Sequence, residues 1–186
     1  MALNARSAAV LVAAAGLAVG SLAGCGDSAT EPEQGEGGWQ EYSTGDFLFE
    51  WQFEDSPAAL RLRLTAPTTG WVSVGFDPTS MMEEANLLVG YVEGGTAYIR
   101  DDYGTGQFSH ASDVSLGGTD DAEIISGSES SGETSLEFRI PLDSGDQYDK
   151  VLTQGTAYTL IFAYGEDGAD DFASYHAWAE AASFEL

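Results

Sequence analysis

Phe47-Leu48-Phe49-Glu50-Trp51-Gln52-Phe53-Glu54 puts an aromatic side chain at every second position from Phe47 to Phe53. That period of two is the mark of a strand with one face buried. Leu60, Leu62 and Leu64 repeat it, with Arg61 and Arg63 turned outward. Ala66-Pro67-Thr68-Thr69-Gly70 punctuates, and Trp71-Val72-Ser73-Val74-Gly75-Phe76 resumes the pattern. Further strands are expected at Asn86–Glu93, Thr96–Arg100, Ala122–Ser128, Ser135–Ile140 and Tyr158–Tyr164, each bounded by Gly, Asp, Ser or Pro turns. Glu83–Leu88 and Ser144–Leu152 each admit a short helix or turn, and the last ten residues admit a final strand. Many short strands at this spacing, with no long helical period and no internal repeat, predict an all-β, immunoglobulin-like antiparallel β-sandwich.

The 186 residues hold 31 Asp+Glu against 6 Lys+Arg, for a net charge of −25. Six scattered basic residues build no stripe for phosphate contacts, so nucleic-acid binding is excluded, and an anionic membrane surface repels such a chain. Disorder is excluded as well, because 43% apolar and 11% aromatic residues suffice for a packed core. The length suits one domain.

Ahead of that domain, Arg6 supplies a charged n-region and Ala8 to Gly20 an apolar, Ala-rich h-region, together a secretory leader over residues 1–24. Cys25 is the only cysteine, which rules out an intramolecular disulfide. Leu22-Ala23-Gly24-Cys25 resembles the lipobox of bacterial lipoproteins. The resemblance implies cleavage before Cys25 and lipidation of its sulfur, hence a chain held at the cell envelope by lipid alone. Gly26 after that cysteine is not the Asp tied to inner-membrane retention, which favours the outer membrane where one exists. Loss of Arg6 takes the charge from −25 to −26. The rest of residues 25–38 carries no large apolar residue and reads as a flexible acidic tether with a reach of roughly 20 Å. The folded domain is then expected over residues 39–186.

The sequence offers little conventional chemistry. It has no Gly-x-Ser-x-Gly elbow, no Cys/His zinc spacing and no phosphate-cradling glycine loop before a helix. What remains is Met81 and Met82, His110 and His176. Residue type alone leaves each open to a plain reading, the methionines as core filler and the histidines as surface side chains.

The run Gly70-Trp71-Val72-Ser73-Val74-Gly75-Phe76, followed by Met82-Glu83-Glu84-Ala85-Asn86 and an apolar strand, resembles the DOMON domain, whose members read GWVAVGF and then M-x-G-A-D. Tyr98 to Tyr103, Glu137 to Leu142, Leu160 to Gly165 and Ser174-Tyr175-His176 follow in the family's order. The resemblance spans nearly all of residues 39–186 and implies a β-sandwich. It further implies either a haem b site, as in the cytochrome domain of cellobiose dehydrogenase, or a site for a sugar or other ligand. Carried over position by position, Met82 and His176 match the family's axial iron ligands. Met81 is one residue off register, which in a strand-like segment turns it to the other face. His110 is read as surface. Glu84 and Ala177 stand where the family usually has Gly.

A Met/His pair filling both axial positions implies an electron carrier rather than an enzyme, with haem b held non-covalently because Cys-x-x-Cys-His is missing. Its partner is expected to be a separate redox protein, and the acidic surface implies a basic docking face on it. The competing reading is a carbohydrate or other small-ligand module stacking on Trp39, Trp51, Trp71 or Trp178, although Trp51 and Trp71 fall in strand patterns that point to the core. Asp101-Asp102, Asp120-Asp121 and Glu166 to Asp171 gather acceptor oxygens suited to calcium, but they match no EF-hand loop and are read as solvated acidic loops.

Overall fold

The computed structural model describes residues 32–35 and 38–186. The leader, Cys25 and most of the expected tether lie outside the described residues. In chain order the elements are β1 (Glu33–Gln34), β2 (Gln40–Thr44), β3 (Phe47–Asp55), β4 (Ala58–Ala66), β5 (Val72–Phe76), β6 (Asn86–Glu93), β7 (Thr96–Gly106), β8 (Ser109–Ser112), α1 (Asp113–Leu116), β9 (Glu123–Ser130), β10 (Glu133–Pro141), β11 (Ala157–Gly165) and β12 (His176–Glu185). They form two six-stranded antiparallel sheets, ordered β1-β2-β3-β4-β10-β9 and β12-β11-β5-β6-β7-β8.

The period of two does what it predicts. Phe47, Phe49 and Trp51 are buried, and antiparallel register sets Phe49 against Leu64 and Trp51 against Leu62. The facing sheet contributes Val72, Val74, Phe76, Leu88, Leu160 and Phe162 to the same core. The rings of Phe47 and Phe49 both lie 5.3 Å from Phe162, bridging the two layers. Each such side chain contributes about 1.5–3 kcal/mol by leaving water.

The alternate residues of the first sheet make a charged outer face. Arg61 Nε donates to Glu137 Oε1 at 2.7 Å, Arg63 bridges Glu50 and Glu137 at 3.1 Å, and Arg139 reaches Glu123 at 2.7 Å. Trp39 lies beneath the Arg63 guanidinium at 4.6 Å. Half-exposed pairs of this kind stabilise by about 0–1 kcal/mol each, so their larger effect is to occupy three of the few cations.

Four details depart from the sequence reading. Glu33 and Gln34, inside the expected tether, pair with Glu41 and Gln40 as a short edge strand. Ser144–Leu152 is irregular loop, whereas Glu83–Leu88 is the end of a turn running into β6, a turn being one of the two forms expected there. The one helix among the described residues, Asp113–Leu116, is capped by Ser112 and ended by Gly117 at φ 98°, and four residues are too few to show a helical period. β7 also runs on past Arg100 to Gly106. The hairpin joining β6 to β7 turns on Gly94 and Gly95, with φ of 58° and 80°, a pair of left-handed conformations that glycine adopts without steric cost. Its register pairs Leu87 with Asp102 and Leu88 with Asp101, so the adjacent aspartates face opposite sides of the sheet.

Candidate functional site

The outer face of the second sheet is apolar. Leu87 and Val89 from β6, Ile161 and Ala163 from β11, and Ala179 and Ala181 from β12 line a cavity of about 600 Å³, within the size range of small-molecule and cofactor sites. Gly75 sits among them: a Cβ there would lie 2.5 Å from Leu87 Cδ2 and 2.7 Å from Ile161 Cγ1. Only glycine lets those two side chains close into a continuous floor. Phe108 and Tyr175, 76% and 85% exposed, border the cavity.

One wall is the turn between β5 and β6. Glu83 N donates to Ser80 O at 2.9 Å, and Met81 and Met82 are its two central residues. Met81 has φ 58° and is 60% exposed, whereas Met82 is half-buried. Both border the cavity. The expectation that a one-residue offset turns Met81 to the other face therefore fails: it assumed extended backbone, and a tight turn presents both residues on the same side.

The turn is clamped onto β7. Glu84 N donates to Gly104 O at 2.8 Å and Gly104 N to Ala85 O at 2.9 Å. A Cβ at Gly104 would overlap the carbonyl oxygen of Met82, so glycine is required for this contact. Glu84, standing where glycine is usual, keeps the left-handed conformation with φ 62°.

Another wall is the segment before β12. Asp171 Oδ1 accepts from the backbone N–H groups of Ala173 and Ser174 at 2.6 Å, and those bonds, after the one from the Ser174 hydroxyl, hold its carboxyl below the usual range. His176 follows as the first residue of β12, opposite Gly165 at an irregularity in the ladder, and it lines the cavity. Met82 and His176, far apart in sequence, are thus brought to one cavity.

His110, expected at the surface, is half-buried on the cavity wall and bonded through Nδ1 to Asp102 Oδ2. The correction comes from β8, whose pairing with β7 lays His110 beside an aspartate that has no exposure at all. Arg100 donates to the same carboxylate through Nε at 2.5 Å and Nη2 at 2.6 Å. Burial pushes the Asp102 carboxyl up, but the bonds from His110 and Arg100 outweigh it and hold it below the ordinary value. Arg100 also stacks on Phe172 at 4.4 Å and donates to its carbonyl at 3.3 Å, tying the His176 segment to β7. The acidic runs are accordingly structural in part, since Asp102 and Asp171 both position the cavity walls.

The tryptophans divide differently from expectation. Trp51 is in the core as expected, but Trp71 forms cavity wall, packed against Gly165. Trp178 is stacked on Phe47 and Tyr164 at 5.8 and 5.4 Å. The sequence reading missed Gly75, Gly104, Arg100 and Phe172; the legible signal was glycine at outward strand positions, where loss of a side chain serves close packing.

The family model described as the DOMON domain matches residues 43–165. DBH-like monooxygenase protein 1 of Homo sapiens is 30% identical over 135 residues, 72% of this chain and 21% of that protein. The mouse protein of the same name is 29% identical over 133 residues, 71% of this chain and 21% of its own length. The chain spans about a fifth of the length of these curated relatives. Among solved structures, the cytochrome domain of Myriococcum thermophilum cellobiose dehydrogenase aligns with a TM-score of 0.56 at 14% identity, over 87% of this chain and 89% of that one. The cytochrome b domain of pyranose dehydrogenase from Coprinopsis cinerea gives 0.55 at 16% identity, over 75% and 76%. At these identities the likeness is one of fold.

Proposed function

Because the chain belongs to the DOMON family, we propose that it is an exported, lipid-tethered b-type cytochrome module that exchanges electrons with a separate redox protein. The observation that carries this reading is the convergence of one half-buried thioether and one imidazole, Met82 and His176, on a single apolar cavity. The donor set suits haem iron, and the smooth floor over Gly75 suits a flat macrocycle. Bound there, haem supplies a one-electron iron couple. Met82 and His176 would be the residues that hold the iron, and two protein ligands would leave no position for a substrate, which favours electron transfer over oxygen chemistry. Leu87, Val89 and Ile161 exclude water from the floor, while Gly104 and Arg100 hold the two ligand-bearing walls. Tether and anchor rest on the leader and Cys25. The monooxygenase named in the relatives is not carried to a chain that covers 21% of their length.

The carbohydrate reading has less support, because Trp39 and Trp51 are buried, Trp178 is stacked on neighbouring rings, and Trp71 alone of the four tryptophans lines the cavity. The test is an absorption spectrum of the chain produced with haem available. A sharp Soret band, with narrow α and β bands on reduction, is expected, and Met82→Ala and His176→Ala should each abolish or shift it. A colourless protein that haemin fails to reconstitute would sink the cytochrome reading and promote the ligand-binding one.

A further inference from the structure

Behind the cavity, on the inner side of the same sheet, lies a second cluster. Asp101, Asp121 and Asp149 bring carboxylate oxygens within 4.8 Å of one another. Asp101 comes from β7, Asp121 from the segment after α1, and Asp149 from the loop between β10 and β11. Asn86, at the start of β6, donates through Nδ2 to Asp149 Oδ1 at 2.6 Å. Asp149 Oδ2 accepts from Ser144 Oγ at 2.5 Å, and Asp101 Oδ2 accepts a long 3.4 Å bond from Asp121 N.

The buried atoms left over point to a ligand. Asp101 is 1% exposed and its Oδ1 has no hydrogen-bond partner. Asn86 Oδ1 is likewise buried without a donor. Asp113 is 0% exposed and neither of its carboxylate oxygens is partnered. Burying one unsatisfied polar oxygen costs about 1–3 kcal/mol, and a buried carboxylate without a counter-charge costs more. Native proteins pair such groups with a hydrogen-bond donor, a cation or a metal.

We propose that this end of the sandwich binds a calcium ion through side-chain oxygens of Asp101, Asp121 and Asp149, with Asn86 Oδ1 and Asp113 contributing to the oxygen shell. Oxygens on a coordination sphere of about 2.3–2.6 Å radius lie at most roughly 5 Å apart, so the 4.8 Å spread fits a single ion. The donors are all hard oxygens, with no histidine or thiolate among them, which excludes zinc or copper as the preferred metal. They come from separate strands and loops, an irregular set that calcium's six to eight flexible positions accept and magnesium's strict octahedron does not. The electrostatics agree: burial, then neighbouring carboxylates, push Asp101 up to about 9 and Asp113 up to about 7. The ion would fasten α1, through Asp113, and the loops carrying Asp121 and Asp149 to the β6–β7 hairpin whose other face floors the cavity.

The test uses the full chain without added haem, stripped with EDTA, so that it stands apart from the cytochrome reading. Calorimetric titration with calcium chloride should give a saturable heat, and a hundredfold excess over Kd should raise Tm by about 5–10 °C. Magnesium at the same ionic strength should give less than half that rise. Asp101→Asn should weaken calcium binding at least tenfold, whereas Asp55→Asn, an exposed acid at the end of β3, should leave it unchanged. Should Asp101→Asn fail to fold, Asp121→Asn, which is only half-buried, must show the same tenfold loss. No saturable heat with calcium, an equal response to magnesium, or unchanged affinity in the folded variants would overturn the proposal.

Discussion

Replacing Gly104 with Ala tests how the Met82 turn is held. The new Cβ overlaps the Met82 carbonyl oxygen and lies 2.8 Å from its carbon, with Ala85 N at 3.2 Å. All three are backbone atoms, so no side chain can swing aside and the turn itself must move. That movement stretches the bonds from Glu84 N to Gly104 O and from Gly104 N to Ala85 O. Overpacking costs about 1–3 kcal/mol and two weakened backbone bonds about 0.5–1.5 kcal/mol each, for a total of about 2–6 kcal/mol. In a domain of this size each kcal/mol moves Tm by about 2–4 °C, so thermal unfolding should show a drop of roughly 4–24 °C, with a matching loss in urea. Haemin titration of the still-folded variant at low temperature should show weaker binding, because Met82 has left its place on the wall. A variant within about 1 °C of the parent would refute the clamp. A destabilised variant with unchanged haemin affinity would leave the clamp standing and break its link to the ligand.

Other outcomes follow from the same geometry. Glu84→Gly should stabilise by about 0.5–1 kcal/mol in urea unfolding, since it relieves a left-handed conformation worth about 1–2 kcal/mol and loses part of that to unfolded-chain entropy; a destabilised variant would mean that the Glu84 side chain has a role of its own. Arg100→Met should cost about 3 kcal/mol or more by leaving the buried Asp102 carboxylate with His110 alone, and a cost below about 1 kcal/mol would show that the pair adds little. In calcium-free protein, Asp101 and Asp113 bind protons more tightly folded than unfolded, so stability should fall as pH rises from about 4 through 7 toward 9. Asp102 has the opposite shift, and its contribution is lost as pH falls below the ordinary carboxylate range. Thermal scans at constant ionic strength should therefore peak on the acid side of neutrality, and a Tm that climbs steadily from pH 5 to 9 would contradict the burial of Asp101 and Asp113.

The sandwich was legible in the sequence because alternation is local: Phe47, Phe49 and Trp51 need only a strand backbone to share a face, and a core follows wherever two such faces meet. The family was legible for a related reason, since its motifs are short runs in a fixed order, and position alone marks Met82 and His176 as candidates. The walls of the site were not. Whether Met81 and Met82 part or stay together depends on a turn closed by Ser80 and Glu83 and pinned to Gly104, which no local period reports. Trp71 lies in a strand pattern yet forms cavity wall: it sits just before β5, where its N–H donates to Ala169 O and its ring packs against Gly165. The acidic runs show the division most plainly. Strand alternation by itself sends Asp101 and Asp102 to opposite faces, but only the folded chain decides their fates. It gives Asp102 an arginine and a histidine partner from its own face, and sets Asp101 among other carboxylates brought in from distant loops. The charge on a buried carboxylate is governed by what packs within a few ångströms of it, and that is settled by tertiary contacts rather than by sequence neighbours.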